Sequence, residues 1–208
     1  MNRPSSPRRP SPASTAQAPQ EVRIIGGQWK RTPLPVKNAP GLRPTPARVR
    51  ETLFNWLGQD LTGWRCLDAF AGSGALGLEA ASRGASEVTL VEQDPSLAKG
   101  IQTIVTRLKA EGSVRVERGD ALAALRQRQG AALDLVFLDP PFGDGGNEAL
   151  FRSALQAARG AIGVNGLIYL EAPVVWTADA LASVGLQMHR QGRAGQVAFH
   201  LLRTLAVD

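Results

Sequence analysis

From Trp64 onward, short apolar runs alternate with longer segments in which apolar residues recur at helical spacing. Short apolar runs bounded by turn residues are typical of buried strands, and the longer segments are typical of amphipathic helices. Strands that alternate with helices in this way predict βαβ units, a mostly parallel sheet and helices on both of its faces. The chain is therefore expected to adopt an α/β fold with strands at 65–70, 87–91, 114–117, 133–138 and 167–171, helices at 75–82, 95–110, 121–129, 148–161 and 178–184, and two late strands near 186–189 and 196–202.

The N-terminal quarter departs from this alternation. Residues 1–20 consist largely of Pro, Ser, Ala, Gln and Arg without an apolar period, which predicts a disordered basic tail. Residues 21–60 predict a small hairpin around Gly26 and Gly27 and then a helix, with Thr45 as its N-cap, Pro46 at its first position and Gly58 after its end. We expect three parts, which are the tail at 1–20, the hairpin and helix at 21–60 and the α/β core at 61–208.

Positive charge is concentrated in the same N-terminal quarter. Residues 1–50 contain ten Lys and Arg and one acid, whereas residues 51–208 contain fourteen Lys and Arg and seventeen acids. Such asymmetry is typical of proteins that bind a polyanion such as RNA, although a solubilising basic tail gives the same pattern. Because an arm with paired glycines can follow the shape of RNA, we expect its cations to contact phosphate. The candidates are Lys30, Arg31, Lys37, Arg43 and Arg48, together with Arg50, and one of the last three could instead bind a cofactor carboxylate or pair with Glu51.

Composition excludes several other classes. The single cysteine, Cys66, cannot form an internal disulfide, which favours a reducing, cytoplasmic environment. His189 and His200 lack metal-ligand spacing, so we expect no metal site. The chain has no apolar stretch long enough to span a membrane and no apolar segment after its N-terminal arginines that would form a secretory signal. We expect a monomer without a membrane partner.

A glycine-rich turn follows the first core strand. Gly72, Gly74 and Gly77 form a G-x-G-x-x-G pattern, in which glycines permit a tight turn and close approach of a ligand to the backbone. Glu92 ends the second strand twenty residues after Gly72, a spacing typical of an acid that accepts hydrogen bonds from ribose hydroxyls. The pattern predicts a cofactor that contains adenosine, either NAD or S-adenosylmethionine (SAM). Phe70, which ends the first core strand, is expected to line the same site.

Carboxylates around this turn favour SAM over NAD. Asp68 precedes the glycines, where it can reach an ammonium group and would repel a pyrophosphate. Asp120 and Ala121 follow the third strand, where the carboxylate can accept from an adenine amine and the backbone N–H can donate to the adenine ring. The sequence shows no conventional hydride-transfer acid such as a Tyr-x-x-x-Lys motif. The alternatives are helix caps for Glu92 and Asp120 and a loop carboxylate or cap for Asp68.

The segment Asp139 to Phe142 reads Asp-Pro-Pro-Phe and follows an apolar strand. Two prolines end a strand because they cannot donate to its ladder, so the carboxylate and the ring are placed at the strand's carboxyl end. Ligands bind at this edge in open α/β sheets. Asp139 and the Pro140 carbonyl can accept both hydrogens of a planar exocyclic amine while Phe142 stacks on the base, although a chance proline turn is the alternative. The pattern resembles the Asp/Asn-Pro-Pro-Phe/Tyr motif of SAM-dependent amino-methyltransferases.

Several motifs together resemble one family, the bacterial 16S rRNA guanine-N2 methyltransferases of the RsmD type. The similarity covers most of residues 22–205 and leaves out the first twenty. The glycine-turn motif is shared widely by methyltransferases, whereas an Arg-Pro-Thr helix start combined with Asp-Pro-Pro-Phe is more specific. The motifs are Arg23 to Trp29, Leu42 to Thr45, Val49 to Leu57, Leu67 to Ala80, Asp139 to Phe142 and Ala194 to Ala198.

This resemblance implies a seven-stranded class I methyltransferase sheet, a last antiparallel strand and SAM as cofactor. It also implies methylation of one guanine amine in 16S rRNA, in the small ribosomal subunit or its assembly intermediate. Asp139, Pro140 and Phe142 would hold the amine, and the guanine would be turned out of its stack into the pocket. Methylation of adenine N6 or of DNA, an NAD-dependent oxidoreductase and a non-catalytic RNA-binding assembly factor are the alternatives.

Overall fold

The computed structural model describes residues 21–36, 45–142 and 147–205. Within these ranges the alternation of strands and helices is as expected. The strands are β1 Glu21–Arg23, β2 Pro33–Pro35, β3 Arg65–Asp68, β4 Glu87–Glu92, β5 Val114–Arg118, β6 Leu133–Leu138, β7 Ile162–Ala172, β8 Leu186–Ala194 and β9 Val197–Thr204. The helices are α1 Ala47–Trp56, α2 Ala75–Ser82, α3 Pro95–Arg107, α4 Ala121–Gln127, α5 Glu148–Ala161 and α6 Ala178–Ala182.

The core is a seven-stranded sheet in the order β5-β4-β3-β6-β7-β9-β8. The first five of these strands pair in parallel, whereas β9 is antiparallel to β7 and β8 is antiparallel to β9. The predicted mostly parallel sheet with an antiparallel end is thus confirmed. The parallel strands place their carboxyl ends at one edge, which is where the functional side chains collect.

Apolar side chains fill a core on each face of the sheet. One core joins α1, α2 and α3 to residues such as Phe137 and Tyr169, and the other joins α4, α5 and α6 to Val136 and Leu170. Side chains alternate between faces along a strand, so neighbours such as Val136 and Phe137 contribute to opposite cores. The two cores hold the sheet between two helical layers.

The N-terminal hairpin packs on α2. The backbone N–H of Gln28 donates to the Ser82 carbonyl oxygen at 2.8 Å, and Ser82 Oγ donates to the Gly26 carbonyl oxygen at 2.6 Å. Gly27 has φ +72°, and a Cβ there would overlap the Ser82 carbonyl. The glycine pair therefore serves close docking on α2, and the expected contact of this arm with RNA stays a prediction.

A buried ion cluster fastens the hairpin and α1 to the core. Glu79 of α2, fully buried, accepts from the backbone N–H groups of Ile25 and Gly26 at 2.8 Å each. It also pairs with Arg50 at 3.2 Å and with Arg83 at 2.9 Å. Buried charges are retained when they are paired and hydrogen-bonded in this way. Arg50 is thus part of the core, where it is 1% exposed and paired with Glu79, so it is not available for the contact with RNA phosphate that was considered for it.

Several predicted element ends also differ. Thr45 is not the N-cap of α1, because Pro46 occupies that position without a side-chain hydrogen bond and Thr45 Oγ1 instead donates to Glu171 Oε1 at 2.6 Å. Strand β7 begins at Ile162, directly after α5, and a register shift opposite β6 accommodates the additional residues. The hairpin of β8 and β9 is longer than expected, since pairing continues to its turn at Gly195.

In residues 21–36, 45–142 and 147–205, no helix is both long and apolar enough to cross a membrane. The same ranges contain no group of three or more His, Cys, Asp or Glu side chains arranged to hold a metal ion. Cys66 is buried in the sheet, and burial raises the pKa of its thiol, which makes it unreactive.

Candidate active site

Three carboxylates lie side by side at the carboxyl edge of the sheet. Asp68 ends β3 and pairs in register with Phe137 of β6, and Leu138 of β6 pairs with Leu170 of β7. The next residues along these last two strands, Asp139 and Glu171, are therefore neighbours. Because Phe137 belongs to the core under α1, α2 and α3, residues in register with it or two further along project to that same face.

The predicted glycine turn has the backbone that its sequence indicated. Gly72 has φ +54° and Gly74 has φ +76°, both in the left-handed region that favours glycine. Gly74 is the N-cap of α2, and its N–H donates to the Ala71 carbonyl at 2.7 Å. Phe70, half-buried, precedes this turn and packs on the core under α4 and α5. The turn leaves a site in which a ligand can approach the backbone.

Asp68 lies beneath this turn. Its side chain is 1% exposed, and Oδ2 accepts from the Gly77 N–H at 3.0 Å. Oδ1 is buried and has no hydrogen-bond partner among the described residues. Burial raises the pKa of Asp68 to about 7, and the nearby charges of Glu92 and Glu171 add to the effect. An unsatisfied buried carboxylate oxygen favours a ligand that brings a donor or a positive charge.

Glu92 joins the end of β4 to the glycine turn. Its Oε2 accepts from the Gly72 N–H at 2.7 Å, and its Oε1 accepts from the Asp94 N–H at 2.8 Å. The α3 cap is Asp94, which accepts from the N–H groups of Ser96 and Leu97. Glu92 is therefore not the cap of that helix. Each of its oxygens retains a second lone pair, which a ribose hydroxyl could use.

Asp120 has the capping role that was its alternative interpretation. It is the N-cap of α4, and its Oδ1 accepts from the Ala123 N–H at 2.8 Å. Its side chain is exposed, and Ala121, the first residue of the helix, is buried. The first N–H groups of a helix have no partner within the helix, so Ala121 can still donate to a ligand.

The segment Asp139 to Phe142 leaves the sheet directly after β6. Asp139 is half-buried, Pro140 is buried, and the Phe142 ring contacts Phe151 with centroids 6.1 Å apart. Burial raises the pKa of Asp139, and the carboxylates of Glu171 and Asp68 raise it further. The ring and the carboxyl group thus lie three residues apart on a turn made stiff by two prolines.

Glu171 and Thr45 are site residues that the sequence did not reveal. Glu171 Oε1 accepts from Thr45 Oγ1 at 2.6 Å and from Tyr169 Oη at 2.9 Å. Burial raises the pKa of Glu171, whereas both hydroxyl donors lower it. A strand that ends in an acid was visible in the sequence, but its partner lies 126 residues away, and no local pattern connects the two.

Four acids at this edge, Asp68, Glu92, Asp139 and Glu171, have no ion pair with a basic side chain among the residues that the structure describes. Within the described part of the chain, the ion pairs to Lys or Arg involve Glu21, Glu79, Glu87, Glu117 and Glu148, and none of them involves Asp68, Glu92, Asp139 or Glu171. Burial and, to a smaller extent, the neighbouring acids raise the pKa of Asp68 and of Asp139. The edge therefore suits a cationic ligand and opposes a pyrophosphate.

The predicted RNA-contacting residues are only partly within the described ranges. Lys30 and Arg31 are exposed in the hairpin turn, and Arg48 is exposed on α1. Lys37 and Arg43 lie outside the described residues, as does the expected tail at 1–20. Of the described cations on the hairpin, Arg23 is paired with Glu21 at 2.7 Å.

Known proteins resemble this chain along nearly all of its described length. The family model described as conserved hypothetical protein 95 matches residues 22–203. The chain is 45% identical over 183 residues to ribosomal RNA small subunit methyltransferase D of Escherichia coli strain K12, which covers 87% of this chain and 89% of that relative. The protein of the same name from Haemophilus influenzae is 40% identical over 186 residues, covering 85% of this chain and 95% of that relative. The solved structure of Escherichia coli yhhF has a TM-score of 0.75 at 43% identity, covering 90% of this chain and 99% of that one.

Proposed function

This chain belongs to the ribosomal RNA small subunit methyltransferase D family, and we propose that it transfers a methyl group from SAM to the exocyclic N2 amine of a guanine in 16S rRNA. The fold is the class I methyltransferase fold, with a seven-stranded sheet and helices on both faces. The substrate amine, the SAM-binding residues and the small-subunit context are parts of the proposal.

The observation that carries this proposal is the set of carboxylates beside the glycine turn, which have no ion pair with a basic side chain in residues 21–36, 45–142 and 147–205. SAM carries an ammonium and a sulfonium, and when bound it supplies an activated methyl group. Asp68, with its unpartnered Oδ1, would accept from the ammonium, and Glu92 would accept from the ribose hydroxyls. Gly72 and Gly74 provide the turn, and Phe70, Asp120 and Ala121 would surround the adenosine. NAD fits less well, because its pyrophosphate would be placed near these same acids.

The Asp-Pro-Pro-Phe segment would hold the acceptor amine. A guanine must leave its stack to reach this edge of the sheet. Phe142 would then stack on the base, while Asp139 and the Pro140 carbonyl oxygen accept one N–H each. Holding both hydrogens in these two bonds turns the nitrogen lone pair toward the methyl donor. Positioning of this kind accounts for a large part of many enzymatic rate increases.

Asp139 would also receive the proton that the amine loses. Methylation would form the N–C bond as the methyl C–S bond of the donor breaks and a neutral thioether leaves, and the nitrogen would then carry one hydrogen too many for a neutral product. Asp139 is nearest to that hydrogen in the proposed arrangement, and burial and the neighbouring acids raise its pKa, so it can hold a proton. Its main contribution is the electrostatic anchoring of the amine, since an N-methylated guanine loses the proton readily.

RNA would be bound by the N-terminal part of the chain. Lys30, Arg31 and Arg48 are exposed and would contact phosphate, and we propose the same role for Lys37 and Arg43. Phosphate contacts position a protein on RNA without reading its sequence, so the choice of guanine would depend on the shape of the rRNA.

The test is methylation of three substrates with labelled SAM, namely small subunits that lack the modification, free 16S rRNA and naked DNA. Nucleoside mass spectrometry of the product identifies the methylated amine. We expect N2-methylguanosine in rRNA. Formation of N6-methyladenosine, or methylation of DNA alone, would overturn the substrate assignment, and absence of SAM binding in calorimetry would overturn the cofactor assignment.

A further inference from the structure

We propose that Glu171 is a positioning residue of the acceptor site, which fixes the start of α1 against the strand next to Asp139 and so connects the RNA-contacting part of the chain to the acceptor carboxyl group. This inference rests on the proposed function of Asp139. In the proposed acceptor site, Glu171 does not touch the reacting atoms. The residue acts through Thr45 and Asp139.

The first step is the position of Glu171 in the sheet. Leu138 pairs with Leu170, so Asp139 and Glu171 are the next neighbours at the ends of β6 and β7. Residues in register on parallel strands project to the same face. The Glu171 side chain therefore lies beside that of Asp139, on the face that α1 covers.

The second step is the pair of hydroxyl groups that hold Glu171. Thr45 Oγ1 donates at 2.6 Å and Tyr169 Oη donates at 2.9 Å, both to Oε1. Glu171, Thr45 and Tyr169 are all buried. Hydrogen bonds to a charged acceptor are shorter and stronger than neutral ones, and burial removes the competition from water. The carboxylate is thus fixed in place, and so is the residue that precedes α1.

Thr45 connects Glu171 to the start of α1. Thr45 immediately precedes Pro46 and α1, and α1 carries Arg48 on its exposed side and Arg50 in the buried ion cluster. Glu171 accordingly joins this helix to the acceptor strand at one end, while Glu79 joins it to α2 through Arg50. Two buried acids therefore set the position of the helix that carries a proposed RNA contact.

Within the described part of the chain, the titratable groups that face Asp139 and Glu171 are acidic or uncharged. Asp68 faces Asp139 from β3, Glu171 faces it from β7, and Tyr169 lies two residues before Glu171. On the adjacent strand β9, burial lowers the pKa of His200, whose ring contacts the Leu170 carbonyl and the Trp176 N–H. Removal of the Glu171 charge should therefore make Asp139 easier to ionise.

The experiment compares Thr45→Val, Tyr169→Phe and Glu171→Gln with wild type in single-turnover methyl transfer to small subunits at saturating SAM. The matched control is Thr52→Val on α1, where the hydroxyl donates to the Arg48 carbonyl of its own helix. We expect Thr45→Val and Tyr169→Phe to slow transfer by roughly tenfold, because small displacements of aligned groups have effects of this kind. SAM affinity should stay within about twofold of wild type, since none of the three residues has a proposed cofactor contact.

Glu171→Gln tests the pH dependence of the methyl-transfer rate, which a purely structural role of Glu171 would leave unchanged. Gln keeps an acceptor for both hydroxyl groups and removes the charge. The acidic limb of the pH–rate profile should therefore shift to lower pH, whereas Thr52→Val should leave it in place. An unmoved limb in Glu171→Gln, or equal rates for Thr45→Val and Thr52→Val, would overturn the inference. If Asp139→Ala is also as active as wild type, the proposed function of the acceptor site fails as well, which separates the two failures.

Discussion

At the scale of single residues, substitutions in the proposed acceptor site should lower the rate of methyl transfer far more than the affinity for SAM. Asp139→Ala should lower single-turnover methyl transfer by roughly two to four orders of magnitude, because it removes the group proposed to hold the amine and accept its proton. Asp139→Asn keeps the shape and one carbonyl acceptor, so partial activity is expected. Phe142→Ala should cost about 1–3 kcal/mol of base stacking, whereas Phe142→Tyr should be tolerated. Near wild-type turnover of Asp139→Ala, or a defect confined to SAM binding, would contradict the assignment.

The cofactor side can be tested on β4, which has an acid at each end. Glu92→Ala should weaken SAM binding by about 1.5–3 kcal/mol, the usual cost of losing a hydrogen-bonded charged partner. Glu87→Ala at the other end of the strand is the matched control, because Glu87 is exposed and pairs only with Arg65 among the described residues. Isothermal titration with SAM measures both variants. Equal affinities for the two would remove Glu92 from the ribose site.

The raised pKa of Asp68 gives SAM binding a pH dependence. A cation binds best to the ionised carboxylate, and the Asp68 pKa of about 7 places its ionisation near neutrality. SAM affinity should thus increase about tenfold between roughly pH 6 and pH 8, as the ionised fraction rises from about a tenth to about nine tenths. Asp68→Asn should bind more weakly and flatten this increase. A wild-type affinity independent of pH would contradict a direct contact between Asp68 and the cation.

Ionisation of Asp68 should lower the free energy of unfolding of the ligand-free protein, whereas it should increase SAM affinity. Its pKa is raised above the value of 3.8 for an exposed carboxyl group, so the folded ligand-free protein holds more protons than the unfolded chain between that value and about 7. Stability should therefore decrease as pH rises through this window. Thermal unfolding without SAM measures the slope, which Asp68→Asn should reduce. A slope unchanged in the variant would assign the effect to the other acids of the edge.

At the scale of elements, the packing of α2 against the sheet depends on Gly77. A Cβ at this position would overlap Leu90 Cδ2 and lie 3.2 Å from Asp68 Cβ. Gly77→Ala should therefore cost about 1–3 kcal/mol of stability, as insertion into a packed core usually does. It should also weaken SAM binding, because the Gly77 N–H holds Asp68. Gly112→Ala is the control, since a Cβ there meets open space. Urea unfolding and titration with SAM measure both effects.

Some features of these elements could be predicted from the sequence, and others could not. Alternation, the glycine turn and Asp-Pro-Pro-Phe are local patterns, so the core strands and Asp68, Glu92 and Asp139 could be placed at one edge in advance. Arg50 could not be assigned, because its burial depends on Glu79, which is distant in the sequence and belongs to another helix. The same holds for Thr45, whose hydroxyl matches a helix cap locally but is used by Glu171 across the fold.

At the scale of the whole molecule, RNA binding should depend on salt through the N-terminal cations. Replacing Lys30 and Arg31 with Gln should weaken small-subunit binding and reduce the slope of log K against log salt by up to about 1.4 for two phosphate contacts. SAM binding should be unchanged. The control replaces Lys109 and Arg126, exposed cations near the ends of α3 and α4, which run back to the opposite edge of the sheet. An unchanged slope in the Lys30 and Arg31 variant would remove the hairpin from the RNA interface.

The docking of the hairpin on α2 fixes the distance between the hairpin and the glycine turn. Glu79 holds the hairpin and α1 on the helix that begins at the glycine turn, so the span from the Lys30 side of the hairpin to that turn is set by rigid, buried contacts. Because this span is fixed, it should select substrates by the separation of the groups that contact its two ends. If the proposed sites are correct, an RNA whose fold presents a phosphate and an extruded guanine at the matching separation should be methylated, and an unfolded strand with the same bases should be a poor substrate.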